Sequence, residues 1–188
     1  MAAMPDAAVA ATHDAVVMGV SILVPAPFGD QLQQRRASFG DPLAQAIPTH
    51  VTLLGPTPVA PADLPELLDH LELAAQSTGP FTMVLRGTGT FRPLSDVVFV
   101  QVARGISGCE QLESRLRSGR WSRERPFPYH PHVTVAHDVD VASLDRAFDD
   151  LAGYDATFDV HSFHLYAQDD EGTWTPVREF ALREKPRP

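Results

Sequence analysis

Almost every position from Val16 to Val24 is apolar, and several are β-branched. An unbroken run this short predicts a buried strand, ended by Pro25 and Pro27. A weaker helical stretch follows from about Asp30 to Phe39 and stops at Gly40. The run His50-Val51-Thr52-Leu53-Leu54, closed by Gly55 and Pro56, reads as a second strand. Leu64, Leu67, Leu68 and Leu71 then recur at helical spacing behind Asp63 and Glu66, which stand at the separation of a capping box. Phe81, Met83 and Leu85 alternate with polar neighbours, and Val97 to Val102 is another continuous apolar strand.

From there the order repeats. Ser107 and Glu110 suggest a second capping box, ahead of Cys109, Leu112 and Leu116 on one helical face. A proline-rich loop leads into His132-Val133-Thr134-Val135, again a short strand. Asp140 is placed to cap a helix carrying Val141, Leu144, Phe148 and Leu151. Two closing strands are expected, roughly Thr157 to Ala167 and Thr173 to Leu182, joined by the turn Asp169-Asp170-Glu171-Gly172. Val16 precedes His50 by 34 positions and Val97 precedes His132 by 35. Each half thus runs strand, helix, His-x-Thr strand, helix and further strand, which indicates an internal duplication resting on order and spacing. The expected organisation is a loose tail over 1–14, one bilobal domain over 15–183 with lobes at about 15–95 and 96–183, and a disordered tail over 184–188.

Composition narrows the class of protein. Hydrophobic residues make up 44% of the chain and charged residues 21%, an ordinary globular balance. The formal net charge of −9 argues against gripping long nucleic acid by charge, yet leaves room for a small phosphorylated ligand in one local basic site. A lone cysteine, Cys109, excludes an internal disulfide and a cysteine-based zinc cluster. The alanine-rich start is interrupted by Asp6, His13 and Asp14 and lacks the basic opening of a secretory signal. No apolar run reaches membrane-spanning length. These features predict a cytoplasmic, monomeric protein without a membrane partner.

The two His-x-Thr strands carry the chemistry. Residues i and i+2 share one face of a strand, so His50 projects with Thr52 and His132 with Thr134, while Val51, Leu53, Val133 and Val135 face the opposite side. If the halves are related by a pseudo-twofold axis, the two polar pairs meet across a central cleft. Imidazole titrates near ~6.5, so one ring can be neutral while another is protonated. The neutral ring takes a proton from an attacking hydroxyl or water, and the protonated ring gives one to the leaving oxygen. Threonine hydroxyls can hold the non-bridging phosphate oxygens. The imidazolium supplies the positive charge that a metal otherwise would, so no cofactor is expected. One His-x-Thr among eight histidines is weak evidence; two at matching places in a repeat favour catalysis over a pair of merely structural histidines.

Five of the fifteen basic residues fall between Arg115 and Arg125. Arg123 and Arg125 are candidates to steer phosphate toward His132, against the plain alternative of a solvated helix end. Tyr129, Phe91 and Phe127 are candidates to stack a base or line the cleft. A zinc site from His130, His132 and His137 would need a bent strand and lacks a completing carboxylate or thiol. His161 and His164 read as structural, His70 as exposed beside its leucine stripe, and Cys109 as core.

The stretch Ile47-Pro48-Thr49-His50-Val51-Thr52-Leu53-Leu54-Gly55-Pro56 resembles the first signature of the two-histidine phosphoesterase superfamily, and Pro128-Tyr129-His130-Pro131-His132-Val133-Thr134-Val135-Ala136 resembles the second. Gly89-Thr90-Phe91-Arg92-Pro93 followed by Val97 to Val100 is similar to a strand pair of that family. The resemblance covers about Val16 to Leu182 and is nearest to the 2′-5′ RNA ligase-like branch, which includes cyclic phosphodiesterases. It implies an α+β, bilobal, duplicated fold, each lobe an antiparallel sheet with helices, the central cleft carrying both His-x-Thr strands. It further implies metal-independent chemistry at a 2′-phosphate on a small nucleotide or RNA-end phosphodiester, with His50, Thr52, His132 and Thr134 at the four motif positions. Members that ligate RNA commonly carry an arginine soon after the second motif, where this chain has His137. Four readings therefore stand: metal-independent hydrolysis of a cyclic or 2′-linked phosphodiester, 2′-5′ ligation, nucleotide or RNA binding without turnover, and metal-dependent hydrolysis, which chelator sensitivity would reveal.

Overall fold

The computed structural model describes residues 15–124 and 127–183; both expected tails, and Arg125, lie outside the described residues. Among the described residues there are eight strands and four α-helices. They are β1 (Val16–Leu23), α1 (Phe28–Ser38), β2 (His50–Val59), α2 (Leu64–Gln76), β3 (Phe81–Thr90) and β4 (Val97–Arg104). After these come α3 (Ile106–Leu116), β5 (His132–His137), α4 (Val141–Asp150), β6 (Asp155–Val160), β7 (Ser162–Gln168) and β8 (Trp174–Ala181). Among the described residues, no helix is long and apolar enough to cross a membrane.

Two four-stranded antiparallel sheets form, in the orders β2-β1-β7-β8 and β5-β4-β3-β6. The orders superimpose: β1 corresponds to β4, and β2 to β5. The bilobal α+β architecture is therefore present. The division into halves at 15–95 and 96–183 does not describe how each sheet is assembled. β3 leaves the first half to pair with β4 and β6, and β7 and β8 return from the second half to complete the sheet of β1. The late strand expected as one piece from Thr157 to Ala167 is split at His161, with β6 in one sheet and β7 in the other. A continuous apolar pattern cannot reveal this break, because both pieces bury alternate residues.

β2 also runs beyond the Gly55-Pro56 pair expected to end it, as far as Val59. The ladder steps from Val20 opposite Leu54 to Met18 opposite Thr57, a bulge that absorbs Gly55 and Pro56. Because β2 is an edge strand, a proline without an N–H costs it little. Helix starts differ as well. Asp63 makes no side-chain cap; it and Glu66 are drawn to Arg120, at 3.0 and 2.5 Å. α3 begins at Ile106 behind Gly105, whose φ of 97° suits glycine, so Ser107 lies inside the helix rather than capping it. Asp140 does cap α4, accepting from the Ser143 N–H at 2.7 Å.

The cores follow the apolar stripes. Leu67 and Leu71 of α2, Cys109, Leu112 and Leu116 of α3, and Leu144 of α4 are buried, while Val141 is exposed. Burial pushes the Cys109 thiol up to about 12. His70 is not an exposed residue beside its helix stripe: its Nε2 donates to the Leu116 carbonyl at 3.1 Å and its ring tilts over Trp121, tying α2 to the end of α3. The first helix of each half packs against the histidine strand of the other, α1 on β5 and α3 on β2.

Candidate active site

His50 opens β2 and His132 opens β5, the edge strands of their sheets, and β2 and β5 lie against each other. Burial alternates as a strand requires: Val51, Leu53, Val133 and Val135 are buried, whereas His50, Thr52, His132 and Thr134 are half-buried on the opposite face. All four motif residues are thus presented as the spacing predicts.

The two imidazoles are held in the same way. Nδ1 of His50 lies 2.6 Å from the Pro48 carbonyl, and Nδ1 of His132 lies 2.7 Å from the His130 carbonyl. A carbonyl only accepts, so each Nδ1 carries the hydrogen. The neutral ring therefore has its bare lone pair on Nε2, and the backbone two residues upstream fixes both tautomer and ring orientation. Burial lowers the pKa of His50, partly countered by the Pro48 carbonyl and reinforced by the Arg36 charge. Burial also lowers that of His132, with the His130 carbonyl opposing and the His130 and His50 rings adding repulsion. Since each proton disfavours its neighbour, a state with one ring charged and one neutral is favoured over double protonation.

Thr52 is shared by two cavities. The larger, about 490 Å³, lies on the His132 side and is lined by Phe91, Ser95, Arg117, Phe127, Tyr129 and His130 among others. The smaller, about 160 Å³, lies on the His50 side between Pro48, Leu54, Tyr166 and Trp174. Gly19 lies under Trp174; a Cβ there would come within 2.9 Å of the indole ring. Phe91 meets His132 edge-on at 5.0 Å between ring centroids and packs on Phe99 at 4.5 Å, so it buttresses the histidine as well as lining the cavity. Tyr129 also has a structural bond, its hydroxyl donating to the Thr52 carbonyl at 2.9 Å. That bond ties the loop before β5 to the middle of β2.

The basic segment is arranged otherwise than expected. Arg123 donates to the carbonyls of Arg120 and Ser122 within its own loop and lines neither cavity. Arg117 reaches the larger cavity instead. Its helical position, one residue beyond α3, decides which way it points, and basic density alone does not encode this. Tyr166 and Trp174 were likewise missed, because β7 and β8 join the first sheet only in three dimensions. Among the described residues no three metal-ligating side chains converge; the ring of His137 turns to Asp138 at 3.5 Å. Its backbone N–H donates to Asp41 at 3.0 Å, and Asp41 is in turn paired with buried Arg36 at 2.8 Å.

Comparison with known proteins places this geometry. The model of the 2′-5′ RNA ligase superfamily matches residues 24–172. A protein of Bacillus mycoides carrying the provisional name phosphoesterase is 28% identical over 144 residues, which are 76% of this chain and 83% of that one. Crystal structures of Escherichia coli LigT share the fold. The complex with 3′-AMP has a TM-score of 0.73 at 24% identity, covering 91% of this chain and all of LigT. The apo form has a TM-score of 0.65 at 26% identity, covering 91% and 99%. With the match spanning most of the sequence and enclosing both His-x-Thr strands, the chain belongs to the 2′-5′ RNA ligase superfamily.

Proposed function

We propose that this protein opens a cyclic or 2′-linked nucleotide phosphodiester by acid–base catalysis between His50 and His132, without a metal. Family membership makes it a two-histidine enzyme of phosphoesterase or ligase type; substrate and direction are the proposal. The observation that carries it is the matched pair of Nδ1–carbonyl contacts, which leaves two oriented Nε2 atoms for proton transfer. In ring opening, water attacks phosphorus and gives its proton to His132. The bond to one ribose oxygen breaks, and that oxygen takes a proton from His50. The symmetry of the site permits the reverse assignment. Thr52 and Thr134 donate to the non-bridging oxygens and hold the phosphorus in line. The 3′-AMP held by LigT supports a nucleotide as the kind of molecule this cleft accepts.

Ligation is the same chemistry run backwards, and the family description favours keeping it as the second reading. A binding module would not need two rings held in one tautomer, which favours turnover. The test is hydrolysis of 2′,3′-cyclic nucleotides and ADP-ribose 1″,2″-cyclic phosphate in EDTA. Wild type is expected to turn over at least one of them. His50→Ala and His132→Ala are each expected to lose about a hundredfold to ten-thousandfold in rate. Wild-type turnover that requires added metal, or that survives both substitutions, would overturn the proposal.

A further inference from the structure

The two cavities beside Thr52 differ in charge. The smaller has no ionised side chain beyond the histidine at its edge, whereas the larger contains Arg117. Of the described arginines between 115 and 123, Arg120 is spent on Asp63 and Glu66, Arg123 on carbonyls of its loop, and Arg115 donates to the Gln111 carbonyl. Arg117 is half-buried. Its Nε pairs with Glu113 at 3.0 Å and its Nη1 donates to the Arg123 carbonyl at 3.3 Å. Two contacts thus fix the guanidinium plane where the side chain lines the cavity, an arrangement suited to phosphate. Ser95 and His130 add polar groups to the same wall, and Leu94 and Phe127, 79% and 63% exposed, form an apolar rim beside it. In a chain of net charge −9, a second anion would not be drawn there by the overall field; it needs such a local donor.

We infer that the larger cavity is a subsite for a second phosphate, one nucleoside away from the reacting phosphodiester, so that the preferred substrates are 5′-phosphorylated nucleotides or oligonucleotide ends rather than bare cyclic nucleosides. This rests on the hydrolytic reading above. Adenosine 2′,3′-cyclic phosphate and its 5′-phosphorylated counterpart are compared by kcat/KM in wild type, Arg117→Gln and Arg117→Lys. Wild type is expected to favour the 5′-phosphorylated substrate by about tenfold to a hundredfold, the worth of one charged contact. Arg117→Gln should bring the ratio close to one, and Arg117→Lys should restore part of it, because a point charge replaces a fixed fork. A wild-type ratio near one overturns the subsite, and so does a ratio that Arg117→Gln leaves intact while both rates fall together, the mark of a structural role. Calorimetric binding of adenosine 3′,5′-bisphosphate against adenosine 3′-monophosphate reads the subsite with no turnover. Tighter bisphosphate binding without hydrolysis supports the subsite and removes the hydrolytic reading; equal binding with hydrolysis intact does the opposite.

Discussion

Burial holds the pKa of both His50 and His132 below the ordinary 6.5 of the imidazole. The base must be neutral, so the rate rises as pH climbs through its pKa; the acid must be protonated, so the rate falls as pH climbs through the other. With both lowered in the free enzyme, kcat/KM is expected to be bell-shaped with its optimum below about pH 6.5. A bound phosphate favours the imidazolium, so the kcat profile should lie at higher pH than that of kcat/KM. Initial rates across the pH range check both, and a flat profile would contradict the pairing. The same shifts act on stability. Below 6.5 the unfolded chain takes up protons that the folded rings resist, so stability is lost as pH falls through that value. A His50→Gln, His132→Gln double variant should lose less between neutral pH and pH 5 than wild type in urea unfolding. At this scale the sequence was most informative: two residues apart on a strand means one shared face. It did not reveal Arg117, whose direction depends on where α3 ends.

Between elements, the histidine strands are held together by contacts from opposite halves. Asp41, in the loop after α1, accepts from the His137 N–H at the end of β5 and from the Leu43 N–H, and pairs with Arg36. The two side chains of the ion pair are 5% and 0% exposed. Asp41→Ala would leave a buried guanidinium unpaired and should cost about 3–5 kcal/mol, read as a lower urea midpoint. Tyr129 makes the reciprocal link, from the loop before β5 to Thr52 of β2. Tyr129→Phe should cost about 1 kcal/mol and lower kcat more than it raises KM, because the bond positions Thr52 rather than binding the nucleotide. The apolar stripes made the helices legible. The capping residues were less so: Asp63 and Glu66 had the right spacing, but Arg120 offered their carboxylates charged partners.

Across the whole molecule, neither sheet can be built from one half of the chain. The first needs β7 and β8 from beyond residue 161, and the second needs β3 from before residue 91. Thermal unfolding is therefore expected as one cooperative transition, with calorimetric and van't Hoff enthalpies equal. Two separate transitions, one for each contiguous half, would show that the crossed strands do not couple the lobes. The exchange of strands means that a cut at residues 95 and 96 separates strands of the same sheet. Local periodicity reports that a strand has one buried face and is silent on which sheet supplies the neighbour.

By itself the sequence determined most of the strands and helices, the duplicated order and the shared face of each His-x-Thr pair, because these depend on periodicities of two and 3.6 along a few neighbouring residues. Only the tertiary structure decided which half completes each sheet, which arginine faces the cleft, and that Tyr166 and Trp174 border the pocket beside His50. Those outcomes depend on contacts between residues distant in the chain, selected by burial of the whole and not by any local pattern.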